Sequence, residues 1–175
     1  MTVLDKVKES FNHMYWADAK IWETVLAIPQ AEDNEKLKTL LYHLHLTQYA
    51  FYRIWSDLPM EFPKQSDFKN LNGIAKWALK YTELLQLFVS GLKEEDLDEI
   101  INIPWSKHSE KHLGIKAADI NLSETMFQVI DHSTYHRGQV NTLIRLMEAE
   151  PTLVDFIIWV WVGKPKAEWS EPLKK

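Results

Sequence analysis

The sequence predicts an all-α protein, a four-helix bundle, on three observations. Its seven prolines, at 29, 59, 63, 104, 151, 165 and 172, leave four long proline-free windows near 4–28, 34–57, 66–91 and 122–149. Proline removes a helix donor and clashes with the preceding turn, so windows without it are where long helices can form. Each window carries apolar residues at helical spacing. Only 5 glycines occur among 175 residues, while 12% of the chain is aromatic, so disorder is excluded and a packed core is expected.

Helix 1 presents Phe11, Met14, Tyr15, Ala19, Trp22, Val25 and Leu26, and helix 2 presents Leu37, Leu40, Leu41, Leu44, Phe51 and Trp55. The connection near 29–33 is short enough to make these two antiparallel neighbours. Helix 3 presents Ile74, Trp77, Leu84, Leu85 and Phe88 and stops at Ser90-Gly91. Helix 4 begins where Asn121 or Ser123 can cap it and continues through Met126, Val129, Ile130, Val140, Leu143, Ile144 and Met147. Four such helices close most economically as a bundle. The connection between helices 3 and 4, about 92–121, is long enough to carry function or minor structure of its own, with a short strand at Ile100 to Trp105 and a turn at Gly114. After Pro151, the stretch from Leu153 to Val162 is apolar enough to form a short fifth helix. Residues 1–165 read as one domain and 166–175 as a tail.

Composition excludes several functions. With no Cys there is no disulfide, thiolate metal site or cysteine nucleophile. The 20 basic and 25 acidic side chains give a net charge of −5, which argues against a nucleic-acid surface. No window approaches 18 apolar residues, and the N-terminus is charged where a signal peptide needs an apolar run. The expectation is a cytoplasmic protein without a membrane role. Phosphate-binding, dinucleotide-binding, serine-hydrolase and H-E-x-x-H motifs are all missing.

The histidines are the informative set: His13, His43, His45, His108, His112, His132 and His136. His132 and His136 are four apart, about 40° around a helix and one turn along it, so both imidazoles can address one ion. On helix 2, His43 lies at one edge of a stripe formed by Leu40, Leu44 and Thr47, and His45 at the other edge beside Leu41 and Gln48. One of the two facing the bundle interior would add a third imidazole, leaving an open position as in catalytic metal sites. Gly138 sits inside helix 4, where glycine costs about 1 kcal/mol relative to alanine, which suggests close backbone approach there. His108 and His112 sit in a polar stretch that reads as a solvated loop, and His13 reads as a packing residue.

Three stretches resemble the DinB/YfiT-like superfamily of metal-dependent four-helix-bundle enzymes. Tyr15-Trp-Ala-Asp-Ala-Lys resembles the family's helix 1 motif, with Asp18 where Asn is usual. Leu-Leu-Tyr-His43, followed by Gln48 and Phe51, is similar to the helix 2 pattern, and this phase selects His43 over His45. His132-Ser-Thr-Tyr-His136-Arg-Gly-Gln is similar to the helix 4 signature almost letter for letter. The resemblance implies an up-down-down-up bundle, often a homodimer, with His43, His132 and His136 as ligands of a divalent metal. Zn or Ni is favoured, with Fe and Mn as alternatives. Many members have a further His where this chain has Gln128, which could serve the outer shell of the site. Gln48, Tyr52 and Tyr135 are candidates for substrate contacts, and Arg137 for an ion pair that braces the helix.

Characterised relatives include transferases that use low-molecular-weight thiols. The expected function is therefore activation of a cofactor thiol (S-transferase) or of water (hydrolase) on a small-molecule substrate. The alternative is a non-catalytic metal-binding bundle with a stress-response or small-molecule-binding role.

Overall fold

A computed structural model describes residues 1–170 and 173. Among them it contains six α-helices, α1 (Val3–Leu26), α2 (Glu35–Trp55), α3 (Leu71–Gly91), α4 (Ser106–Leu113), α5 (Leu122–Leu146) and α6 (Phe156–Trp161). The four long ones begin at side-chain caps. Thr2 with Asp5, and Asn121 with Glu124, form reciprocal capping boxes, while Asn34 and Asn70 accept from the backbone of Leu37 and Gly73.

The walls of the bundle are α2 against α5, α5 against α1, α1 against α3, and α3 against α2. Contacts along the helices give their directions. Tyr49 meets Trp77 and Trp55 meets Phe88, so α2 and α3 run the same way. His43 meets His136 while Trp55 donates to Thr125, so α5 runs opposite to α2. Helices α1 and α2 are antiparallel, but they are not the adjacent pair that their short connection predicts. They face each other across the bundle centre through large side chains, Phe11 to Trp55 and Trp22 to His45. A short 3-10 turn at Pro29–Asp33 spans the diagonal between them.

The core holds Phe11, Met14, Trp22, Leu37, Leu41, Tyr81, Leu85, Met126 and Val140. At about 25 cal/mol per Å² of apolar area removed from water, large side chains of this kind each contribute on the order of 2 kcal/mol.

The long connection differs from the expected strand and polar loop. The strand shrinks to a single bridge between Ile100 and Asn121. The polar stretch with His108 and His112 is the helix α4, ended by Gly114 in the left-handed conformation (φ 71°). Its side chains are mostly exposed, so its helicity is invisible to an apolar-periodicity test. The apolar run after Pro151 does form a helix, α6, whose Trp159 packs on Trp16 and Ala17. Part of the stretch read as tail also joins the core, since Trp169 and Leu173 are buried in it. Residues 171, 172, 174 and 175 lie outside the described residues.

Candidate metal centre

Helices α2 and α5 lie side by side and antiparallel, which sets one turn of each against the other. His43 comes from α2, and His132 and His136 from successive turns of α5. Ring centroids are 5.1 Å apart for His43 and His132, 4.7 Å for His43 and His136, and 4.2 Å for His132 and His136. One nitrogen from each ring lies within 4.8 Å of the others. The Nε2 atoms of His132 and His136 are 3.0 Å apart. Tetrahedral ligands about 2.0–2.1 Å from a zinc ion lie about 3.3 Å from one another, so a few tenths of an ångström separate this pair from a chelating one.

Hydrogen bonding sorts the nitrogens. The Nδ1–H of His136 donates to the amide oxygen of Gln139 at 2.8 Å, which leaves Nε2 as a lone pair turned towards His132. His132 Nδ1 is buried without a partner. Burial pushes the His132 imidazole down to about 4, and the neighbouring His136 and His43 push the same way. His43 is also lowered, by its partial burial and then by His136. A histidine must be neutral to ligate, and these shifts keep both in that form at neutral pH. The chemistry of the donors fits a divalent ion: three imidazoles brought together, each able to present a ring nitrogen, with no positive side chain among them.

His45, two residues from His43, points elsewhere. Two helical residues turn about 200°, which carries His45 from the α2–α5 seam to the bundle axis. There it is 1% exposed. Trp22 Nε1–H donates to its Nε2 at 2.8 Å, and its Nδ1–H donates to the Tyr81 hydroxyl at 2.6 Å. Tyr81 donates in turn to Gln48 Oε1 at 2.7 Å. Gln48 Nε2 then donates to Asp18 Oδ2 at 2.8 Å and to Ser133 Oγ at 3.0 Å. Arg137 closes the network with a 2.8 Å ion pair to Asp18, both side chains almost fully buried.

The other candidates are now placed. Gln48 is not at the histidine group: all its hydrogen-bonding capacity on the core side is taken by Asp18, Ser133 and Tyr81. Tyr52 is buried against Tyr49 and Phe88. Gln128 lines the groove beside His132, and Tyr135, largely exposed, touches the His136 ring edge-on at 5.1 Å. Arg137 braces α5 against α1, beyond the single helix expected of it. Gly138 has nothing within 4 Å of where a Cβ would stand, so close backbone approach is not its reason. His13 is the packing residue expected, donating from Nε2 to the Val154 carbonyl at 2.8 Å among Trp16, Phe156 and Trp159. Gln139 was missed, although its i+3 spacing from His136 on one helix face signals it.

A family model for the DinB family matches residues 3–166. The chain belongs to the DinB family. No curated protein matches it closely enough to add an activity. Within this DinB-family chain the three histidines that converge are the ones in the helix 2 and helix 4 motifs.

Two grooves flank the group. One, about 820 Å³, runs from His43 and His132 along the α2–α5 seam to Phe51 and Trp105. The other, about 700 Å³, opens on the opposite side between Lys36, Leu40, Leu143 and Gln139, with His43 in its wall. The long connection shapes the first groove, because Trp105 packs edge-on against Phe51 at 5.4 Å. Among the described residues no helix is long and apolar enough to cross a membrane.

Proposed function

We propose that this DinB-family protein is a divalent-metal enzyme in which His43, His132 and His136 hold one ion and leave a position open to a small molecule. The observation that carries the reading is the convergence of three imidazoles from two helices, one nitrogen of each within 4.8 Å of the others. When bound, the ion supplies a concentrated positive charge that acidifies a thiol or a water, favouring S-transfer or hydrolysis. The chain has no Cys, so a thiol nucleophile must come from a low-molecular-weight co-substrate. Gln139 fixes the His136 ring and its tautomer. Tyr135 covers one edge of His136, and Gln128 offers an amide to a molecule in the groove. Zn and Ni suit an all-imidazole set best, with Fe and Mn as alternatives. The family resemblance adds a homodimer to this reading.

The test is turnover. Protein loaded with Zn²⁺ or Ni²⁺ is incubated with a panel of low-molecular-weight thiols and electrophiles, and separately with esters and amides. Metal-dependent product that disappears in His136→Ala is the expected result. A loaded protein inactive across both panels would leave the idle metal-binding bundle as the better description.

A further inference from the structure

The groove that leads away from the histidines has a one-sided chemistry. Its walls are apolar, part aliphatic and part aromatic, the rings being Phe51, Phe62, Trp105 and Phe127, and the only charged groups among the described lining residues are the carboxylates Glu124 and Asp131. Among the described residues no lysine or arginine lines it. Away from the histidines an anionic molecule therefore finds no counter-charge on the described lining side chains, whereas a cation finds a carboxylate and ring faces, the two features that hold organic ammonium groups.

The positions are ordered along the seam. Glu124 precedes His132 by eight residues on α5, and Phe51 follows His43 by eight on α2. Because the helices are antiparallel, both lie about 12 Å from the histidines in the same direction. The perpendicular Phe51–Trp105 pair forms a corner at that end. Asp131 lines the groove at the other end, next to His132 in sequence.

We infer that the substrate of this site is an elongated, apolar organic cation. Its ammonium end occupies the Phe51–Trp105–Glu124 corner, and its reactive group lies about 12 Å away at the histidines. The identity of the reactive end rests on the metal-enzyme reading above; the ammonium corner does not.

The probes are choline and 3,3-dimethylbutan-1-ol, which share shape and hydroxyl group and differ in charge. A quaternary ammonium has no lone pair, so it cannot ligate a metal in place of occupying the corner. Each is titrated into metal-loaded, ¹⁵N-labelled protein, and metal content is measured on the same samples. Choline should bind about tenfold more tightly than the alcohol, with the largest shifts at the Trp105 indole and Phe51. Glu124→Gln, which keeps an acceptor for the helix cap, should remove most of that preference. Equal binding of the two probes, or choline shifts remote from Trp105, would overturn the inference. Choline preference in a chain that takes up no metal keeps the corner and rejects the metal reading; metal uptake without preference does the reverse.

Discussion

His43 and His45 are two residues apart on one helix and live in opposite chemical worlds. Around His45 each ring nitrogen has a partner, and the chain of bonds continues through Tyr81 and Gln48 to a buried ion pair. The His43 ring instead packs against two other imidazoles, and among the described residues no carboxylate or amide hydrogen-bonds to it. Two buried side-chain polar atoms lack a partner among the described residues: His132 Nδ1, in this second cluster, and the Tyr15 hydroxyl. A histidine whose bonds are complete is structural, because any ligand would have to break them. A group of histidines whose converging nitrogens meet only one another stays available. The contrast is one of hydrogen-bond completeness, with burial a poor guide.

The largest effect should come from the saturated network. Arg137→Ala strands the Asp18 carboxylate at 4% side-chain exposure, and removing one partner of a buried pair costs about 3–5 kcal/mol. Denaturant unfolding measures it; a loss under about 1 kcal/mol would mean that water reaches Asp18 and that the network is less closed than drawn.

The sharpest cut is between the two histidines of α2. His45→Leu leaves the Trp22 N–H without an acceptor and should cost about 1–3 kcal/mol while metal uptake persists. His43→Ala, at an exposed position, should change stability by no more than about 0.5 kcal/mol and reduce metal uptake severely. Calorimetric metal titration beside thermal unfolding reads both columns. Exchange of the two outcomes would invert the assignment.

Acid separates structural histidines further. Burial holds His13 below its usual value near 6.5; Arg137 acts in the same direction, and the Val154 carbonyl, Asp18 and Asp155 oppose. With the folded value depressed, the unfolded chain binds the extra proton first, so stability from this residue is complete above about 6.5 and is lost as the pH falls below it. In His13→Gln the amide can still donate to Val154 without titrating. Thermal unfolding from pH 8 to 5 should therefore drop less steeply in the variant than in the parent; parallel curves would show that His13 does not report on acid.

The smallest effect lies just past the site. With open space around Gly138, Gly138→Ala should stabilise the helix by up to about 1 kcal/mol and leave metal uptake intact. Destabilisation would restore the close approach that the sequence suggested.

What could be read in advance follows how local each feature is. The four long helices announce themselves through spacing and caps, and the His132–His136 pair through a four-residue interval that any helix brings onto one face. The third imidazole is a long-range choice. Helical phase alone sets His43 and His45 at opposite edges of one stripe and chooses neither, whereas the family motif selects His43 and the fold brings His43 to the pair. Gln48 carries the family spacing but lies in the core, because its neighbours Asp18, Ser133 and Tyr81 come from three other helices that periodicity cannot align. Helix α4 lacks an apolar stripe to detect, and the packing of Trp105 on Phe51 depends on how a 30-residue connection returns to the bundle. Trp169 is one apolar side chain in a polar stretch, and nothing local says that it turns inward.

The most direct measurement is the metal stoichiometry of the parent protein and of His43→Ala, His132→Ala and His136→Ala, by elemental analysis after dialysis against Zn²⁺, with circular dichroism on each sample. One equivalent per chain in the parent, a severe loss in each variant and unchanged helicity is the result the shared site requires. Full retention of metal in the folded variants, or none in the parent, would contradict it.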